Sequence, residues 1–519
     1  MRTLDEREAA TMAVDQGELR TEVGAILNRR PAVGLAVGVV RNGSLEFFSG
    51  HGLADLAAHT PVTEDTIFRI GSITKTFTAV AVMQLWEQGL VDLDAPANQY
   101  LRAYQLVPAR ASFRSTTVRQ LLTHTGGVPE QAHPLHMFRT DYGESVPLGR
   151  RVPTLAEYYR GGLRVAVEPG TSFMYGDHGM ATLGQIVEDI SGKPLDRYFR
   201  DHIFDPLGMA DSDLLRSEHV QSRLATGYEL SRGAPKPVTD REIIPRAAVA
   251  IYSTTRDMAR YVAALLGGGA NEHGSVLEPA TLATMFEPHY QPDPRLPGMG
   301  LGFMRGNIGG HLAVEHQGIL PGFNSQIWVA PNDGVGVLAF TNGSPRAVMW
   351  MPPEFGRLLG DLLDAPPEGI RTDVPQHPEV WAEICGWYRP SIPATDVRAR
   401  LWFGAGVEVL VRRGEPVFRF LNPMPALYRG LPLHPDDDED PYAFRIDLAR
   451  FGSGTARVLF GEEAGTRART VYLEFMPNPF RKQPSSTNPR LWTTAGLAAA
   501  GAAIALRRFS AARKRSQRS

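Results

Sequence analysis

Ser72 and Lys75, in IGSITKTF (70–77), are the first residues whose types and spacing can do chemistry. Only five lysines occur, at 75, 193, 236, 482 and 514, so 49 of the 54 basic residues are arginines. Arginine keeps its proton, whereas a lysine with a depressed pKa can release it. A helix starting here sets Lys75 one turn after Ser72, on the same face. The positive end of that helix favours developing negative charge on the serine oxygen, and its free N–H groups can hold an oxyanion. A nearby amine can orient or deprotonate the hydroxyl, the chemistry of an S-x-x-K pair. The plain alternative is that Ser72 caps the helix and Lys75 is a solvated charge. The motif alone does not decide between them.

The elements that would position the pair are readable from periodicity. SITKTFTAVAVMQLWEQG predicts a helix, with Ile73, Phe77, Ala81 and Leu85 at steps of four and Gly89 as its stop. GLAVGVVRNGSLEFF predicts a hairpin turning at Asn42-Gly43. MATLGQIVEDISG (180–192) predicts a second helix, and IWVAPNDGVGVLAFTN (327–342) two strands around a turn. Residues 17–365 therefore read as an α+β domain with an antiparallel sheet, after an extension at 1–16. A linker is expected at 366–379. Strand patterns separated by Gly, Pro and Asp then give a small antiparallel β-domain at 380–475. PNPFRKQPSSTNPR predicts a second linker, 476–490, before a hydrophobic helix and basic tail at 491–519.

Bulk properties narrow the function. A chain of 519 residues calls for more than one core. Its apolar fraction of 43% and charged fraction of 21% fit a soluble globular protein. A net charge of −2 gives no basic footprint for nucleic acid. Cys385 is the single cysteine, so an intrachain disulfide is excluded, and its EICGWY context reads as a buried structural thiol. The N-terminus lacks the apolar region of a secretory signal. Arg29-Arg30 before PAVGLAVGVV imitates a twin-arginine signal, but the run is short and meets a turn, so a strand is favoured. LWTTAGLAAAGAAIAL (491–506) carries no charge and precedes RRFSAARKRSQRS. As a helix it spans about 24 Å, short of a hydrocarbon core of about 30 Å. Two readings stay open: a membrane-associated or spanning tail with a cytoplasmic basic flank, or a packed or frayed helix. The protein is expected at a membrane through this segment, or in the cytoplasm.

Six stretches give the Ser–Lys pair a context: FRIGSITKTFTA (68–79), VRQLLTHTGGVP (118–129), EPGTSFMYGDHG (168–179), IFDPLGM (203–209), YSTTRDMARY (252–261) and EHQGILPGFNSQIWVAPNDGVGVLAFTN (315–342). In this order and spacing, they resemble the serine β-lactamase and penicillin-binding-protein superfamily, over about residues 17–365. The branch is the class C-like one, with D-alanyl-D-alanine carboxypeptidases, D-aminopeptidases and β-lactamase-fold esterases. The resemblance implies a β-lactamase/DD-peptidase-like domain, an antiparallel sheet flanked by helices. The β-domain at 380–475 resembles the lipocalin-like barrels appended to some relatives.

The resemblance also implies roles. Ser72 would be the acylated nucleophile, Lys75 its activating amine, and Tyr175 the phenol that moves the proton. An adjacent ammonium would favour the phenolate form of Tyr175. His316 and Gly318 fall on the family's Lys-Thr-Gly strand, and the Ile319 N–H would join that of Ser72 in the oxyanion hole. His124 matches a loop where it is mainly structural; Asn324 and Ser325 would line the pocket. Two departures stand out. Asp177 replaces the usual Asn; an ionised Asp only accepts hydrogen bonds and would hold Lys75 charged, moving the base role toward Tyr175. His316 replaces Lys, and a neutral imidazole is a weaker partner for a carboxylate, which counts against efficient β-lactamase activity. The implied activity is a serine hydrolase, a peptidase, amidase or esterase, with no metal or organic cofactor. Its substrate would be a small molecule or peptide: a D-amino-acid peptide, an ester or an amide. The alternatives are a slow-turnover penicillin-binding protein or weak β-lactamase, or a non-catalytic scaffold or membrane-tethered binding protein.

Overall fold

The computed structural model describes residues 15–132, 136, 144–230, 234–392, 403–422, 424–452, 454–462 and 469–490. The expected tail at 491–519 and most of the 1–16 extension lie outside them. By internal contact the chain divides into two units, Met1–Gly369 with Leu448–Gly454, and Ile370–Asp447 with Thr455–Ser519.

The first unit is a mixed α+β fold on a seven-stranded antiparallel sheet, as expected. In chain order its main elements are α1 (Gln16–Arg29), β1 (Gly34–Arg41), β2 (Ser44–Asp55), β3 (Thr60–Pro61), α2 (Thr74–Glu87), α3 (Asp177–Ser191), α4 (Thr255–Leu266), β4 (Met304–Ile308), β5 (His311–Leu320), β6 (Phe323–Ala330), β7 (Val335–Thr341) and α5 (Ala347–Leu362). The sheet order is β4-β5-β6-β7-β1-β2-β3. The first strands thus meet the last ones in the middle, where Val39 pairs with Val337. The hairpin turns at Asn42 and Gly43, both with positive φ, as the Asn-Gly pair predicts.

Alternation along β1 explains the layering. Leu35, Val37 and Val39 join a core with Val23 and Ile26 of α1 and Met351, Phe355 and Leu359 of α5. Ala36 and Val40 face the larger core, shared with Phe77 and Val80 of α2, Leu183 and Val187 of α3, and Met258 and Val262 of α4. With both faces covered, β1 reads as a continuous apolar run. Helix α2 has buried side chains without a break from Thr74 to Leu85, so its charged members must find partners inside.

In the second unit, β8 (Gly386–Pro390), β9 (Val407–Arg412), β10 (Glu415–Phe420), β11 (Leu431–Pro432), β12 (His434–Pro435), β13 (Ala443–Asp447), β14 (Thr455–Glu462), β15 (Arg469–Leu473) and β16 (Met476–Gln483) form nine strands. Their order is β11-β10-β9-β8-β16-β15-β14-β13-β12. The expected linker at 476–490 needs correcting: its first half is β16, paired with β8 on one side and β15 on the other. Met476, Asn478 and Phe480 are buried at alternate positions, the period of a strand. Cys385 is half-buried rather than fully enclosed. No helix among the described residues is long and apolar enough to cross a membrane.

Candidate active site

Ser72 does not open the long helix itself. It sits in a 3-10 turn, Gly71–Ile73, that runs straight into α2. Gly71 has φ +54, and a Cβ there would lie 2.7 Å from the Ile319 amide nitrogen. The turn is held from two sides. The Ser325 hydroxyl donates to the Ile70 carbonyl (2.6 Å), and the Ile70 amide to the Ile251 carbonyl (3.1 Å).

One turn on, the Lys75 side chain is fully buried. Its Nζ donates to Ser72 Oγ at 2.8 Å, to Asp177 Oδ1 at 2.7 Å and to the Ala248 carbonyl at 3.3 Å. Three acceptors match the three hydrogens of an ammonium, and the Tyr175 hydroxyl interacts with both Lys75 and Ser72 besides. Burial, the largest single influence, pushes the Lys75 pKa down, but the Asp177 carboxylate and Tyr175 together outweigh it and the net direction is up. The structure therefore sets a charged lysine, not a free amine, beside the serine.

Tyr175 ends the loop before α3, and Asp177 begins the helix. Gly176 lets this loop pass the Glu130 backbone; a Cβ would sit 2.9 Å from Glu130 Cα. The Lys75 ammonium lies 4.8 Å from the centre of the Tyr175 ring. Burial raises the Tyr175 pKa above 10; Lys75 pulls it down and Asp177 pushes it up again. The expected phenolate is thus not the resting form. The reason is burial, together with a carboxylate that offsets the ammonium.

His124 and His316 flank Tyr175, with ring centres at 4.6 Å and 6.2 Å. His124 has φ +55, and its carbonyl accepts from the Met174 amide at 2.7 Å, tying its loop to the tyrosine's. Burial first, and Lys75 second, push His124 well below its ordinary pKa. The same two causes take His316 to about 3. His316 Nδ1 lies 2.8 Å from the Gln317 carbonyl oxygen, so that nitrogen carries the proton and donates. Nε2 is then a bare acceptor, buried without a protein partner.

Gly318 follows on β5, paired with Ser325 on β6. Ile319 is 49% exposed although it is large and apolar, and it pairs with the half-buried Asn324. Of the seven predicted site residues, Ser72, Asp177 and Tyr175 meet the buried Lys75 ammonium and His316 lies beside Tyr175, while Gly318 and Ile319 pack against the Ile70–Gly71 turn that carries Ser72. Two contributors escaped the sequence. The Ala248 carbonyl is backbone and leaves no side-chain signal. Gly71 was visible only as one glycine among 52. Among the described residues no cluster of metal-ligating side chains occurs.

A family model described as Beta-lactamase matches residues 8–351. Penicillin-binding protein 4 of Amycolatopsis lactamdurans is 29% identical over 384 residues, covering 72% of this chain and 94% of that protein. Esterase EstB of Burkholderia gladioli is 28% identical, covering 64% and 93%. Among solved structures, an octameric penicillin-binding protein homologue from Pyrococcus abyssi superposes with a TM-score of 0.58 at 23% identity. It covers 90% of this chain and 100% of its own.

Proposed function

The chain belongs to the beta-lactamase family, and from that premise we propose that it is a serine hydrolase working through an acyl-enzyme on Ser72. Its substrate is an ester, amide or D-amino-acid peptide. The observation that carries this reading is the position of Lys75 Nζ, 2.8 Å from Ser72 Oγ inside a buried, fully bonded cluster. A solvated surface lysine would have no such geometry, and a cap serine needs no buried ammonium.

In the proposed reaction Ser72 Oγ attacks the acyl carbon, and the ester formed is later hydrolysed by water. The Ser72 and Ile319 N–H groups form the oxyanion hole, which the tight approach of Gly71 to the Ile319 amide supports. Tyr175 acts as a neutral phenol beside the serine and stabilises the leaving group by donating a hydrogen bond. The neutral His316 favours a substrate that carries no carboxylate at that position. The test is intact-mass measurement after treatment with a fluorophosphonate. One adduct per chain is expected in the wild type and none in Ser72→Ala. Equal labelling of the two proteins would sink the proposal.

A further inference from the structure

The Ser72–Lys75–Asp177 row raises a question of proton accounting. Attack by Ser72 releases a proton, and a base must take it. Lys75 is an ammonium with all three of its hydrogens engaged. Tyr175 still holds its own proton. His124 and His316 are neutral but poor bases, because burial and Lys75 disfavour their charged forms. Asp177 is what remains. Its Oδ1 is 2.7 Å from Lys75 Nζ, and its side chain is 29% exposed, on the first turn of α3.

From this geometry we infer that Asp177 is the terminal proton acceptor of the reaction, reached from Ser72 through Lys75. The inference rests on the acyl-enzyme reading above. An Nζ–H proton of Lys75 passes to Asp177 Oδ1, leaving a neutral amine and a carboxylic acid. The amine turns about its Cε–Nζ bond and presents its lone pair to Ser72. As Oγ bonds to the acyl carbon, the carbonyl π pair moves onto oxygen and the Oγ–H proton moves to Nζ. Lys75 is again an ammonium and Asp177 a carboxylic acid. When the intermediate collapses, the C=O re-forms and the bond to the leaving atom breaks. That atom takes a proton from Lys75, which regains one from Asp177. The cluster ends with the protons it began with.

A carboxylate can fill this place where an amide cannot, because a carboxamide oxygen is far too weak a base to hold the proton. Asp177 therefore does more here than orient the lysine. The titratable groups that interact with it are Lys75 from α2, Tyr175, His124 and His316. Tyr159 senses its charge, and one residue on, His178 lies 3.1 Å from Glu144 and 2.7 Å from the Tyr159 hydroxyl. Burial raises Tyr159 well above its ordinary value. Among these groups Lys75 is the cation that makes a direct contact with Asp177.

The experiment is the rate of fluorophosphonate labelling, read by intact mass from pH 4 to 10, for the wild type, Asp177→Asn and Asp177→Glu. The wild type should lose half its rate only on acidification below about pH 5, where a carboxylate is protonated. In Asp177→Asn the base must be Lys75 itself, so the half-point should climb by two pH units or more and activity should return on alkalinisation. Asp177→Glu should keep an acidic half-point, moved up by roughly half a pH unit with the weaker acid, which tests the inference even if Asp177→Asn does not fold. A wild-type half-point above about pH 9 that falls in Asp177→Asn would overturn the inference: Asp177 would then be holding back Lys75 as the base. So would a lower plateau with an unmoved half-point in Asp177→Asn, the mark of a purely structural residue. Absence of labelling in the wild type at every pH sinks the Ser72 reading, and the inference with it.

Discussion

Gly318 passes Ile70 so closely that a Cβ on it would lie 1.9 Å from the Ile70 carbonyl oxygen and 2.1 Å from Ser325 Oγ. That carbonyl is the one Ser325 holds. The strand carrying His316 and the turn carrying Ser72 are thus fastened at a point with no room for a methyl group. Both obstacles are fixed: one is backbone, the other a hydroxyl already bonded. In Gly318→Ala the strand and the turn must separate, with a stability cost of about 1–3 kcal/mol. The loss in phosphonate labelling should exceed what that destabilisation explains. We expect at least tenfold slower labelling at a temperature where the circular dichroism is still native. Wild-type labelling with an unchanged melting temperature would show that the contact is not tight.

Tyr175 offers a spectroscopic check. Burial raises its pKa above 10, and the nearby carboxylate adds to the effect although Lys75 opposes it. A difference spectrum of wild type against Tyr175→Phe should therefore show no phenolate band at pH 8–9. The same variant should acylate only about tenfold more slowly, the loss of one hydrogen bond of about 1–1.5 kcal/mol. A phenolate band at neutral pH would revive the phenolate base that the sequence suggested.

How much of this was legible beforehand depends on what a contact is made of. Ser72 and Lys75 lie three apart, so local periodicity was enough to put them on one face. Tyr175, Asp177 and His316 are distant in sequence, and only the ordered family motifs tied them to the pair. What no pattern could reveal was the outcome of burial. The ammonium beside Tyr175 was expected to lower its pKa, yet the enclosure of the phenol and the carboxylate at Asp177 prevail. The 3-10 turn under Ser72 was also invisible, because it is set by contacts with Ile251, Ser325 and the Gly318–Ile319 backbone. The misread linker at 476–490 has a similar cause. Its prolines signal a break, but Phe480 pairs with Pro390 and with Val471, partners about 90 and 9 residues away. Local composition carries no trace of the more distant pairing.

His316 gives a prediction on substrate charge. With its pKa near 3 it is neutral throughout the working range, and it contributes no limb between pH 5 and 8. The depressed value also has a stability consequence. The unfolded state takes up a proton below about 6.5 while the folded ring does not, so this group costs stability as pH falls from 6.5 toward 3. A neutral ring gives a carboxylate no ionic partner, and the Lys75 charge is already matched by Asp177. Benzylpenicillin should therefore acylate Ser72 at least about tenfold more slowly than its methyl ester, a difference of about 1.4 kcal/mol. The measurement is the second-order rate of adduct formation by intact mass. A faster free acid would point to a carboxylate site and to penicillin-binding-protein-like chemistry.

The strand that carries His316 also holds an unusual carboxyl group. Burial raises the Glu315 pKa from 4.5 to about 7, although Gln326 Nε2 donates to it at 2.7 Å and works the other way. For an acid whose folded pKa is raised, the unfolded state loses its proton first. Between about pH 4.5 and 7 the folded state therefore binds more protons, and stability falls as pH rises through this window. The full shift corresponds to at most about 3 kcal/mol. Glu315→Gln keeps the size and a carbonyl acceptor for Gln326 but cannot ionise. It should match the wild type near pH 4.5 and be more stable above pH 7, with the gap opening between those values. Denaturant midpoints at pH 4.5, 6 and 8 test this directly. A gap that is constant with pH would mean that Glu315 titrates normally and that its burial carries no charge penalty.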